Sequence, residues 1–78
     1  MVEVEIDYIG QLKTRAVHAP SRAAMCTSAP RDNEGDGSSF SPTDLVATAL
    51  VTCVVTTMAI AARKHGVDMA GTKARVEK

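Results

Sequence analysis

The sequence predicts an α+β fold in which an N-terminal antiparallel β-sheet, a hairpin plus one or two further strands, packs on a long buried central helix. Three observations carry that reading. Apolar residues alternate with acids from Val2 to Tyr8, which is the period of a strand with one wet face. A capped, almost wholly apolar run extends from Ser41 to Gly66, the character of a helix covered on every side. Between them, residues 28–39 read SAPRDNEGDGSS, a cluster of Pro, Gly, Asp, Asn and Ser that marks a loop.

The strands follow in order. Val2, Val4, Ile6 and Tyr8 form the apolar face of the first, opposite Glu3, Glu5 and Asp7. Gly10-Gln11 is a hairpin turn, Leu12–Ala19 a second strand, and Ala23–Thr27 a third after the break at Pro20-Ser21. The 28–39 loop reads as a solvated connector, with a flexible flap beside a pocket as its functional alternative. After Gly66, residues 72–78 set Ala74 and Val76 against charged neighbours, so a final strand is expected there.

The helix carries its own punctuation. Ser41 caps the free amides, Pro42 suits the first helical position, and Asp44 completes a capping box, with Phe40 placed to staple back against Leu45. Arg63, Lys64 and His65 suit the negative end of the dipole, and Gly66 supplies the stop. From Leu45 to Ala62 no residue is charged, long enough to raise the question of a membrane span. Four threonines, five alanines, the polar cap and the lack of an aromatic belt argue against one.

With 45% hydrophobic and 23% charged residues among 78, the chain has the composition of a single folded domain. Nine Lys plus Arg balance nine Asp plus Glu, and no basic block is present to neutralise phosphates, which argues against nucleic acid and anionic membrane as partners. One Tyr, one Phe and no Trp leave little for bases to stack on. Cys26 and Cys53 stand far apart with no CxxC or Cys/His cluster, so no metal site is expected and no cofactor is implied. His18 and His65 read as a strand end and a helix end. The acidic start lacks a signal-peptide pattern, and a cytoplasmic, reducing location is expected.

A sheet of three or four strands covers one side of a helix about 36 Å long. The other side would expose more apolar surface than the few hundred Å² a soluble monomer ordinarily carries. The sequence therefore implies self-association, as a homodimer or higher homo-oligomer, or membership of a larger fold.

The run DNEGDGSSFSPTDLVATALVTCVVTTMAIAARKHGVD closely resembles the central signature of the OsmC/Ohr family, osmotically inducible and organic hydroperoxide resistance proteins. In that signature a Gly-rich loop leads through SPT-[DE]-L into a long helix bearing a cysteine. The resemblance runs upstream through the hairpin and downstream to GTKARVEK. It implies an intertwined α/β homodimer of subunits about twice this length. On that view residues 1–78 are a single OsmC-like domain without its C-terminal half.

The resemblance further implies thiol-dependent reduction of organic hydroperoxides in an oxidative stress response, with the hydroperoxide and a dithiol reductant as partners. It puts Cys53 at the peroxide-attacking position and an arginine from the hairpin over it. Arg15 is the best match, with Arg22 and Arg31 as alternatives. The physical need for a cation is plain, because only the thiolate attacks and a buried apolar setting disfavours it. Ohr-type members hold that arginine with a glutamate ten residues before the cysteine; here that position is Thr43. Asp44, nine residues before Cys53, falls on the opposite helix face at about 100° per residue. The resolving cysteine belongs to the missing half in such proteins, and Cys26 does not match it, reading instead as a semi-buried thiol. Whether the chain is an enzyme is therefore open at this point. The rival is a non-catalytic OsmC-like scaffold, or a small apolar ligand-binding or dimerisation module.

Overall fold

The computed structural model describes residues 1–78 and resolves into two compact units, Met1–Thr43 and Asp44–Lys78. The first is built on three antiparallel strands, β1 (Val4–Gly10), β2 (Lys13–His18) and β3 (Ala24–Ser28), in the order β1-β2-β3. The expected hairpin and third strand are thus both present.

The β1–β2 turn has an unusual residue choice. Gly10 pairs with Lys13, leaving Gln11 and Leu12 as a two-residue turn with φ of 55° and 61°. Positive φ at both turn residues matches the right-handed strand twist, but Asn-Gly is the usual filling. Leu12 tolerates the conformation because both its peptide groups are held. Its N–H donates to the Tyr8 hydroxyl at 3.1 Å, and its carbonyl accepts from Ala29 N–H at 3.0 Å.

The register sorts the sheet into two faces. Val4, Ile6 and Tyr8 stand opposite His18, Ala16 and Thr14, while Ala16 and Thr14 stand opposite Met25 and Thr27. On the other face Glu5 and Asp7 oppose Val17 and Arg15, and Arg15 opposes Cys26. One side is apolar and the other charged, as the alternation predicts.

After β3 a single 3₁₀ turn, Arg31–Asn33, begins the loop that leads to α1 (Pro42–Lys64). The helix starts on the residue after Ser41, as the cap predicts. Its end is a complete Schellman motif: Gly66 N–H donates to Arg63 O at 3.1 Å, Val67 N–H donates to Ala62 O at 3.0 Å, and Gly66 has φ of 74°.

Beyond Gly66 the chain returns along its own helix. Ala74 and Val76 share a shallow groove with Thr48, Val51, Thr52, Val55 and Thr56, and Lys78 Nζ meets the Asp44 carboxylate at 2.8 Å. Residues 72–78 are not a strand, which corrects the expectation drawn from their alternation. A strand is stabilised by its ladder, and these residues have no strand beside them.

No hydrophobic side chain is buried anywhere in the chain; the buried residues are Thr27, Ser28 and Ser41. The helix lies where the sequence puts it, yet none of its residues is buried, so the burial expected of it is not supplied by these residues. Val46, Leu50, Val54 and Met58, at four-residue spacing down one stripe, are each more than half exposed. By length and composition alone such a helix could cross a membrane.

Two glycines test the fold differently. A Cβ at Gly35 would lie 1.8 Å from the Ala29 carbonyl oxygen, whereas one at Gly66 meets open space. Gly35→Ala is expected to destabilise the first unit by about 1–3 kcal/mol through overpacking. Gly66→Ala should cost only about 1 kcal/mol, for the left-handed backbone. Urea melts followed by circular dichroism would check the order of the two.

Candidate functional site

Cys53 stands at the middle of α1, exposed and free. Its helical neighbours at three and four residues are Ala49, Leu50, Thr56 and Thr57. It lies off the stripe that faces the returning segment, so in this chain the thiol is open to solvent rather than set in an apolar pocket. No cation stands within a helical turn of it along α1.

The three candidate arginines all belong to the other unit. Arg31 is committed, since its Nε donates to the Asp36 carbonyl at 3.3 Å. Arg22 sits in the β2–β3 turn with φ of 64°. Arg15 is exposed at the centre of the charged sheet face, between Asp7 on one side and Cys26 on the other. Its backbone is fixed by ladders on both sides and its guanidinium makes no ion pair. Cys26 is exposed, not semi-buried, which corrects the reading from sequence. It lies on the outer strand of the sheet, on the same face as Glu5, Asp7 and Arg15.

The loop before the helix is exposed along most of its length, as expected of a solvated connector. Asp36 organises it. One carboxylate oxygen accepts from Ser28 Oγ at 2.6 Å and from Ser38 N–H at 3.0 Å, and the other pairs with Lys13 Nζ at 2.9 Å. Ser28 N–H donates to Phe40 O at 3.0 Å and Gly37 N–H to Ala29 O at 3.2 Å. The loop is thereby tied to β2, to β3 and to itself just before the helix begins. The sequence signal was an Asp two residues ahead of a Ser, the spacing at which an Asp side chain bonds a backbone amide. Lys13 and Ser28 gave no local sign of joining it.

The histidines occupy structural positions. His18 Nδ1 lies 2.6 Å from Ser21 Oγ and accepts from Ser21 N–H at 3.3 Å, closing the β2–β3 turn. His65 sits at the helix end. Asp44 is in the first turn of α1, as the capping reading requires, and its carboxylate also tethers Lys78.

A three-stranded antiparallel sheet, a pinned Gly-rich loop and a long apolar helix with a central thiol make this an α+β chain. The chain belongs to the OsmC family: the model for OsmC-like proteins matches residues 35–78, more than half of it. The chain is also similar to a solved structure from Psychrobacter arcticus 273-4, whose description proposes an osmotic stress induced and detoxification response protein. The two are 45% identical with a TM-score of 0.94, over 99% of this chain and 56% of that one. The chain thus spans little more than half the length of that relative. Comparison with curated proteins returns no significant match. Proteins of this family are generally soluble, and the apolar helix is a core element of their fold rather than a membrane span.

The Asp36 cluster makes a pH prediction. The Ser28 hydroxyl first, then Lys13 and the Ser38 hydroxyl and amide, hold the Asp36 carboxyl well below the usual carboxylate range. Because the folded value is depressed, its stabilisation is complete above the ordinary Asp range and is lost only as pH falls through the lowered value. The Ser38 amide should stay protected from exchange at pH values where ordinary aspartates have protonated. In Asp36→Asn that protection should be weaker at neutral pH and change little on acidification. Amide exchange by NMR across an acid titration would check both.

Proposed function

We propose that the chain serves an OsmC-type stress and detoxification role through thiol-dependent reduction of organic hydroperoxides, with Cys53 as the attacking thiolate. The observation that carries this reading is an accessible thiol at the middle of the long helix, inside the span matched by the OsmC-like model. Arg15 is the candidate activator, supported by its free guanidinium on a backbone held from both sides.

The reaction balances as follows. The Cys53 thiolate attacks the terminal oxygen of the hydroperoxide, the O–O bond breaks, and the alkoxide leaves and takes a proton. Sulfur is oxidised to a sulfenic acid while the peroxide is reduced to an alcohol. One thiol of a dithiol reductant then condenses with the sulfenic acid, releasing water, and the second thiol displaces Cys53 from the mixed disulfide. Two copies, or a longer OsmC-like subunit, would lay a second apolar surface over the helix and turn an open thiol into a covered one.

Thr43 in place of the Ohr-type glutamate favours a second reading, an OsmC-like scaffold that holds an apolar ligand beside the helix without turnover. Cumene hydroperoxide separates the two. The enzyme reading expects stoichiometric sulfenic acid at Cys53, trapped with dimedone, and loss of peroxide consumption in Cys53→Ser. Equal consumption by that variant would sink it. If Arg15 is the activator, Arg15→Gln should slow alkylation of Cys53 at neutral pH by about tenfold or more, one unit of thiol pKa being tenfold in thiolate.

A further inference from the structure

Asp36 is followed by Gly37, the one Asp-Gly pair in a chain that has no Asn-Gly pair. Such a pair is prone to close on itself. The glycine nitrogen attacks the aspartate side-chain carboxyl carbon, water leaves, and a five-membered succinimide forms. Water then reopens the ring at either carbonyl, giving aspartate again or isoaspartate, in which the main chain runs through the former side chain. Glycine favours the closure because no Cβ crowds the nitrogen and its backbone turns freely. One water leaves and one enters, so the step needs no oxidant, reductant or further reactant.

The pair is exposed, so water reaches it, yet the groups that closure needs are already engaged. The peptide joining the two residues is held at both ends. Its carbonyl, on Asp36, accepts from Arg31 Nε at 3.3 Å, and its N–H, on Gly37, donates to Ala29 O at 3.2 Å. The carboxylate accepts from Ser28 Oγ at 2.6 Å and Ser38 N–H at 3.0 Å, and pairs with Lys13 Nζ at 2.9 Å. For the ring to close, the nitrogen must lose its proton and turn toward the side chain, and the carboxyl must be protonated so that an oxygen leaves as water. The fixed peptide plane opposes the first. Ser28, Lys13 and Ser38 oppose the second, because each favours the charged carboxylate.

We propose that Asp36-Gly37 is a latent site of covalent self-modification, held as aspartate by the contacts from Lys13, Ser28, Ala29 and Arg31. Conversion then requires local opening of the loop, a cheaper event than global unfolding. It is also self-reinforcing. Isoaspartate adds one atom to the main chain and takes one from the side chain, so the carboxylate no longer meets Ser28, Ser38 and Lys13 together. The loop that delivers Ser41 to the start of α1 is left untied. The inference is independent of Cys53 and of any peroxide chemistry.

The 78-residue chain, incubated in warm neutral buffer with and without urea, tests it, with isoaspartate at position 36 read by electron-transfer fragmentation mass spectrometry. The native chain should convert about tenfold or more slowly than the unfolded one, since one unit of carboxyl pKa is by itself tenfold in the protonated form. Lys13→Met and Arg31→Gln, shown by circular dichroism to remain folded, should each convert several-fold faster than the native chain. Ser28→Ala takes the place of either that fails to fold. Equal rates in the native and unfolded chain, or folded variants no faster than the native chain, would overturn the proposal.

Discussion

The constraint on which everything else turns is apolar surface that the chain does not cover. Its longest element is a helix with no charged residue from Leu45 to Ala62, and no hydrophobic side chain of the chain is buried. Burial is the dominant favourable contribution to folding, worth roughly 25 cal/mol per Å² of apolar area. Domains this short have little of it to spare. On the proposed reading the residues of α1 serve a core that a further surface completes, and the proposed site shares that dependence.

What these residues secure alone is polar. The Thr14 and Thr27 hydroxyls bond across β2 and β3, and Asp36 gathers Ser28, Ser38 and Lys13 around one carboxylate. Two tightly constrained positions serve this arrangement. Leu12 accepts a left-handed backbone so that its carbonyl can receive Ala29, and Gly35 is bare because Ala29 leaves no room for a Cβ. The loop so formed delivers Ser41 and Pro42 to the start of α1.

The features legible in the sequence were those with short-range causes. Alternation placed β1, and the Ser41-Pro42 start and the Gly66 stop bounded α1 almost to the residue, because caps are chosen by backbone groups within one turn. Residues 72–78 misled because alternation describes which faces a segment would offer and not whether a neighbour exists to pair with them. The Asp36 cluster was invisible because Lys13 and Ser28 reach it through tertiary structure. For the site, Cys53 could be singled out by position in a motif, and Arg15 by its hairpin. The pairing of Arg15 with Asp7 and Cys26 emerged only from the strand register.

The two themes meet at the thiol. An open Cys53 on a bare helix is a different chemical object from one under a second apolar layer, since exclusion of water strengthens every charge acting on it. Completing the core and completing the site are then the same event. Amide hydrogen exchange of residues 45–62 over a dilution series tests this most directly. Protection that rises with protein concentration is the result expected of a helix covered by a second copy. Strong protection that is the same at every concentration would show that the chain finishes its own core and would contradict the account.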